Sequence, residues 1–296
     1  MQITIMGTSS MVPTKDRNQM GVLLSYNAEG ILFDCGEGIQ RQIKIANEKL
    51  TKVTKVLISH WHGDHVLGLP GLIQSLSASE YNRTLEIYGP KGTKERIEYL
   101  FKSFVFDRKL EMNVYDIGEG VFFENGDFIL ESRKLEHGVE TLGYLFREKP
   151  KRKVDMKSAK KLGISEGPII GKLQNGNSVT VKGGKISPDD VSRLVEGKSI
   201  AYVTDTSLCN SCYSLAKDVD LLICESTYLS KLEEKSEENY HMTAKQAAML
   251  ANNANAKKLA LVHFSSRYKD TIEIEDEAKT YFSNTVCAND FMRIRV

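Results

Sequence analysis

The chain has 296 residues, 41% hydrophobic and 27% charged, enough apolar material for one large domain or two small ones. A formal net charge of +1 gives no overall pull toward nucleic acid or an anionic membrane, so any charge signal has to be local. No apolar run approaches the roughly 18 residues of a membrane span, and the opening MQITIMGTSS lacks the basic and long apolar regions of a signal peptide.

Five cysteines, an odd number with Cys35, Cys224 and Cys287 scattered, fit a reducing cytosol better than a disulfide framework. The expectation is a soluble, cytoplasmic protein. In chain order, QITIMG reads as a strand. GVLLSY-NAEG-ILFD reads as a hairpin with Asn27 and Gly30 as its turn residues. DCGEG then turns into a helix from Ile39. KVLIS is a short, continuously apolar strand. LEIYGP followed by KGTKERIEYLFKSF predicts strand then helix, and short strands are expected between Met112 and Phe146.

From Arg147 to Lys161 there are eight lysines or arginines and only two acids, and a glycine-rich stretch without a long apolar run follows to Lys185. The ordinary reading of such a run is a solvated charged loop. After it the α/β pattern returns as strand SIAYVT, strand DLLICE, helix TAKQAAMLANNA and strand KLALVHF. One α/β domain spanning residues 1–296, interrupted by a flexible basic insertion at 149–185, is the expected organisation.

Straight after KVLIS come His60, His62, Asp64 and His65, four donors within six residues. Such side chains are costly to bury uncompensated, and three imidazoles with a carboxylate suit zinc. Their spacing does not put all four on one face of a regular element. A loop can instead split them, His60 and His62 on one ion and Asp64 and His65 on a neighbour roughly 3.5–4 Å away, as in binuclear hydrolases. Two further apolar strands end on Asp205 and His263, and active-site groups in α/β folds gather at such carboxyl ends. With two carboxylate oxygens, Asp205 is the natural bridge. His137, between strand-like segments, is a further candidate ligand, although a lone histidine is more often a hydrogen-bonded structural residue. Cys209 and Cys212 form a C-x-x-C without a second pair, which alone reads as apolar packing near a helix start.

H-x-H-x-D-H (His60–His65) after an apolar strand resembles the signature of the metallo-β-lactamase superfamily. Within it the chain resembles the ribonuclease Z family, the tRNA 3′-processing endonucleases, in their short form. The motifs that carry this are PTKDRN (Pro13–Asn18), EHG around His137, TDT around Asp205, HMT (His241–Thr243), HFSSRY (His263–Tyr268) and GISEGPIIGKL, which contains Gly167 and Pro168.

The resemblance implies a four-layer αβ/βα metallo-β-lactamase fold with a protruding exosite arm. It implies two zinc ions per chain, one held by His60, His62 and His137 and the other by Asp64, His65 and His263, with Asp205 bridging. Asp64 would also orient or deprotonate the attacking water. His241 would protonate the leaving 3′ oxygen as general acid, supported by Glu225, for which a strand-end carboxylate is the ordinary reading. Arg17 and Arg267 are candidate phosphate contacts. Lys151, Arg152, Lys153, Gly167 and Pro168 belong to the arm that would grip precursor tRNA by shape and charge. A homodimer is implied, with neither DNA nor a membrane as partner. The arm departs from the family in having KPKRK where a glycine often follows the proline. The alternative activity is hydrolysis of small esters by a superfamily phosphodiesterase or arylsulfatase-like enzyme.

Overall fold

Short apolar runs separated by turns become eighteen strands among the described residues of the computed structural model, which are 1–106, 109–181 and 183–296. In chain order they are β1 (Gln2–Gly7), β2 (Gly21–Tyr26), β3 (Glu29–Phe33), β4 (Val53–Leu57), β5 (Thr84–Gly89), β6 (Glu111–Asp116), β7 (Gly120–Glu124), β8 (Phe128–Leu135) and β9 (Thr141–Glu148). They continue with β10 (Lys151–Val154), β11 (Val179–Val181), β12 (Gly184–Ile186), β13 (Ser192–Val195), β14 (Ser199–Val203), β15 (Leu221–Glu225), β16 (Leu259–Val262), β17 (Thr285–Cys287) and β18 (Arg293–Arg295).

The chain divides into two compact units. The larger comprises Met1–Phe123, Leu130–Phe146 and Ser199–Val296. It is built on two seven-stranded sheets, ordered β18-β1-β2-β3-β4-β5-β6 and β17-β16-β15-β14-β9-β8-β7. Both are mixed in character or extended by parallel runs: β3 to β6 pair in parallel, as do β14 to β17, whereas β1 pairs antiparallel with β2 and β18. All five residues of β4 and of β15 are buried, which is why these strands read as unbroken apolar runs rather than alternations.

The sheets meet through aromatic side chains. The Phe33 ring lies 5.2 Å from Tyr202 and 6.3 Å from Tyr144, and Tyr26 meets Phe146 edge-on at 5.3 Å. The buried tyrosine hydroxyls are satisfied: Tyr144 donates to the Ile58 carbonyl (2.6 Å) and Tyr202 to Asp34 (2.8 Å). Left unpaired, each would cost about 1–3 kcal/mol. Outside the first sheet, Ile39, Ile43, Leu69, Leu72, Leu76 and Ile97 from three helices pack on Leu32, Val56 and Ile87. Outside the second, Leu215, Ala247, Ala251 and Ile274 pack on Val203, Leu222 and Leu261. The layers are therefore helix, sheet, sheet, helix, the four-layer αβ/βα order expected.

The hairpin closes differently from the expectation. Tyr26 pairs with Glu29, so Asn27, at φ 51°, and Ala28 form the turn, while Gly30 lies within β3 opposite Ser25. Gly30 is required there because a Cβ would stand 2.6 Å from the Lys52 carbonyl of the next strand's approach.

The smaller unit comprises Glu124–Ile129 and Arg147–Lys198. The basic insertion expected at 149–185 falls inside it, with Lys182 outside the described residues. It carries its own small core of Ala159, Ile164, Leu173, Val179, Ile186 and Val191. Two antiparallel pairs, β10 with β13 and β11 with β12, frame that core. The ordered structure thus runs to Lys198, because β13 is the partner of β10. Basic side chains of the run pair within the unit: Lys149 with Glu124 (2.5 Å), Lys151 with Asp127 (2.9 Å) and Arg152 with Asp189 (2.6 Å). Exposed pairs of this kind contribute little to stability.

Candidate metal centre

Parallel strands β3, β4, β14, β15 and β16 of the larger unit run into residues with ionisable or hydroxyl side chains. Asp34 follows β3, Ser59 and His60 follow β4, Asp205 follows β14, Glu225 ends β15 and His263 follows β16. Three of them, Asp34 (φ 57°), Asp205 (φ 48°) and His263 (φ 60°), take the left-handed conformation. That conformation costs a non-glycine residue roughly 1–2 kcal/mol, and it ends the extended run at once, leaving the side chain at the sheet margin. The short helix Gly63–Val66 brings Asp64 and His65 to the same margin. It is fixed to the Asp34–Gly36 turn by Cys35 N–H to His65 O (2.8 Å) and Gly68 N–H to Cys35 O (2.9 Å). A Cβ at Gly68 would sit 2.0 Å from the Gly36 carbonyl, so only glycine permits this approach.

The donors converge in two groups, His60, His62, His137 and Asp205, and Asp64, His65, Asp205 and His263. In the first, His62 Nδ1 is 2.9 Å from His60 Nε2 and 3.2 Å from His137 Nε2, while Asp205 Oδ2 is 3.7 and 3.9 Å from His60 and His137 Nε2. In the second, Asp64 Oδ2 lies 3.3 Å from His65 Nε2 and 3.5 Å from His263 Nε2, and Asp205 Oδ1 lies 3.4 and 3.2 Å from the same two nitrogens. Asp205 thus turns one oxygen to each group.

These residues fit a metal. Ligand atoms about 2.1 Å from a tetrahedral zinc ion stand about 3.4 Å apart, the spacing found here. His65 Nε2 and Asp64 Oδ1 are buried without hydrogen-bond partners, an arrangement that calls for an ion or a water. Burial, followed by the field of His65, pushes His60 well below its usual range, and burial lowers His137. Burial opposes the charge of Asp205, yet the imidazoles of His263 and His65 hold its carboxyl well below the ordinary range. His60 and His137 thus favour the neutral form that metal binding requires, whereas at His65 burial is outweighed by the carboxylates of Asp205, Asp34 and Asp64, which push it well above its usual range, so that a metal bound there would displace its proton.

Beyond the converging atoms, the opposite ring nitrogens are engaged. His65 Nδ1 meets Asp34 Oδ2 at 2.7 Å, His60 Nδ1 meets Ser59 Oγ at 3.0 Å, His263 Nδ1 meets Thr227 Oγ1 at 2.9 Å, and His137 Nδ1 meets the Tyr240 carbonyl at 3.2 Å. Such contacts fix which nitrogen faces a metal. Sequence reasoning missed Asp34, Ser59, Thr227 and Tyr240. The available signal was Asp34 itself, an acid at the end of an apolar strand, in the same setting as Asp205.

His241 stands beside this assembly, with its ring 5.3 Å from His263 and 5.4 Å from His137. Its Nδ1 is 3.1 Å from Glu225 Oε1. Glu225 is fully buried and also accepts from the Thr206 amide (2.7 Å) and the Thr227 hydroxyl (2.7 Å). Burial disfavours the imidazolium of His241, but the adjacent Glu225 carboxylate outweighs it and pushes the group up to about 9. Glu225, His241 and His263 also lie close enough to hold an ion. Glu225 already accepts from Thr206, Thr227 and His241, so a hydrogen-bonded relay accounts for this third group.

The candidate RNA contacts are dispersed. Arg17 donates to the carbonyls of Tyr268 (2.6 Å) and Ser265 (3.4 Å), tying the PTKDRN loop to the segment after His263. Arg267 is exposed; its guanidinium lies 5.0 Å from the Tyr228 ring centre, and its Nε donates to Ser265. In the smaller unit Lys151 and Arg152 make the ion pairs described above, Lys153 is exposed, and Gly167 precedes the helix Pro168–Gln174 opened by Pro168.

Known proteins share these features. A family model described as Beta-lactamase superfamily domain matches residues 182–264, and one described as Anti-Pycsar protein Apyc1 matches residues 1–116. The chain is 40% identical over 297 residues to Ribonuclease Z of Methanothermobacter thermautotrophicus, covering 100% of this chain and 97% of that protein. It is 36% identical over 300 residues to Ribonuclease Z of Methanosarcina acetivorans, covering 100% and 98%. Among solved structures, the short form of human tRNase Z superposes with a TM-score of 0.75 at 25% identity, over 100% of this chain and 99% of that one.

Proposed function

The chain belongs to the ribonuclease Z family and is a tRNA-processing endoribonuclease of the metallo-β-lactamase fold; from that premise we propose that it uses zinc to cut one phosphodiester of precursor tRNA. The cut removes the 3′ trailer, leaving a 3′-OH on the tRNA and a 5′-phosphate on the trailer. The observation that carries this reading is the convergence of seven donor residues with the His241–Glu225 pair at their margin.

His60, His62 and His137 would hold one zinc ion, and Asp64, His65 and His263 the other, with Asp205 shared. When bound, such ions would supply Lewis acidity, which makes a water more acidic and offsets charge developing on the phosphate. Asp64 presents its unpartnered Oδ1 to orient that water. Glu225 holds Nδ1 of His241 and leaves Nε2 to deliver a proton to the departing 3′ oxygen. Arg17 keeps the PTKDRN loop in place, and Arg267, exposed to solvent, would contact phosphate. The smaller unit, through Lys151, Arg152, Lys153 and the Gly167–Pro168 turn, holds the tRNA away from the cut. Such contacts neutralise phosphates without reading sequence. The family resemblance also carries the homodimer. Five cysteines that are all free support a cytoplasmic location, and among the described residues no helix is long and apolar enough to cross a membrane.

The test is incubation of the purified, zinc-loaded chain with a precursor-tRNA transcript, mapping both new ends. A single cut at the trailer junction with 3′-OH and 5′-phosphate ends is expected. Cuts scattered along the transcript, or a 3′-phosphate, would overturn the reading.

A further inference from the structure

Cys209 and Cys212 take no part in the chemistry above, yet their Sγ atoms face each other at 3.5 Å. Cys209 immediately precedes the helix Asn210–Ala216, and Cys212 lies in its first turn. Cys212 is fully buried, whereas Cys209 is 9% exposed between half-buried Leu208 and exposed Asn210. Both residues are therefore buried, Cys209 being the less enclosed of the two. Cys35, Cys224 and Cys287 are buried as well. The hydrogen bond from the Cys212 thiol lowers Cys209 to about 6, and the same bond, then burial, pushes Cys212 up. Cys209 is thus the sulfur favoured as the thiolate, with Cys212 as its hydrogen-bond donor.

We propose that Cys209 and Cys212 form a reversible redox-active dithiol, oxidised by low-molecular-weight disulfides of the glutathione class. The Cys209 thiolate attacks one sulfur of the small disulfide, whose S–S bond breaks and whose other sulfur leaves as a thiolate. Cys212 then gives up its proton to that thiolate or to solvent. Its sulfur attacks Sγ of Cys209 and expels the second small thiol. Overall the dithiol loses two protons and two electrons, and the small disulfide takes them up to become two thiols. The sulfurs must close from 3.5 Å to about 2.05 Å, a movement within reach of side-chain rotation in a C-x-x-C turn.

Closing so short a loop adds little chain-entropy stabilisation. The pair therefore rests reduced in a reducing compartment and oxidises only when the disulfide pool rises, as redox-sensing pairs in the cytosol do. Its position is also specific. The Cys212 sulfur lies 3.9 Å from the Ser207 carbonyl, Ser207 N–H donates to Glu136 O (2.9 Å), and Ser207 is two residues from Asp205.

The full-length, zinc-loaded protein is equilibrated with glutathione mixtures of rising oxidised fraction, quenched in acid, alkylated, digested and weighed. The expected product is a Cys209–Cys212 peptide lighter by two hydrogens and unalkylated. It should form at a reproducible midpoint and return to the dithiol with a phosphine reductant. Cys212→Ser, or Cys212→Ala should the serine variant fail to fold, should instead stop at glutathione held on Cys209. The native protein keeping both thiols free in fully oxidised glutathione would overturn the proposal. So would a glutathione adduct that persists on Cys209 while Cys212 is present.

Discussion

Oδ2 of Asp34 lies 2.7 Å from Nδ1 of His65, and the same carboxylate accepts from the Ser59 amide and hydroxyl and from the Tyr202 hydroxyl. Four donors fix the acid, and the acid fixes the ring, so that Nε2 faces Asp64 and Asp205. Asp34→Asn should retain the fold but weaken zinc binding by about 10–100-fold, the usual effect of losing such a support. Competition with a chromogenic chelator reads this directly. Unchanged affinity would mean that the ring is held by packing alone.

Ligand and acid should separate by mutation. His241→Ala is expected to keep both metals while cleavage falls by about a hundredfold or more. His65→Ala should lose metal together with activity. Glu225→Gln should resemble His241→Ala in direction, because it removes the charge 3.1 Å from Nδ1. Elemental analysis of each variant beside its cleavage rate checks all three, and zinc lost from His241→Ala would make that residue a ligand.

The larger segment of the smaller unit can be excised, since Glu148 N–H donates to Lys198 O at 2.8 Å and holds the two cut ends together, while Glu124–Ile129 stays in the chain. Replacing residues 149–197 by a short glycine linker should weaken precursor-tRNA binding. It should also flatten the salt dependence, because fewer counterions are released. Hydrolysis of a small chromogenic phosphodiester should persist. A folded, zinc-loaded deletion that binds and cuts precursor tRNA like the full chain would mean that residues 149–197 do not hold the substrate.

Tyr144 tests the junction between the sheets. Its hydroxyl is fully buried and donates to Ile58 O. Tyr144→Phe should cost about 1 kcal/mol, seen as a lower urea midpoint at constant slope, with the metal content unchanged.

The metal cluster was legible in the sequence because His60, His62, Asp64 and His65 crowd into six positions, a density that packing alone does not produce. The apolar strands that deliver Asp205 and His263 were legible for the same reason that they are buried on both faces. Asp34 was not, since one acid after a strand looks like any strand end until the fold brings Ser59, His65 and Tyr202 to it. The core of the smaller unit was hidden as well. Ala159, Ile164, Leu173, Val179, Ile186 and Val191 are spread along the chain without helical or strand period, and only the pairing of Lys151–Val154 with Ser192–Val195 encloses them.

The central claim is that seven side chains assemble a two-metal centre that cuts precursor tRNA. Metal-free protein, titrated with zinc while cleavage of a precursor transcript is followed, tests it most directly. Activity should rise to a plateau at two zinc ions per chain. A plateau at one ion, or cleavage indifferent to zinc, would contradict it.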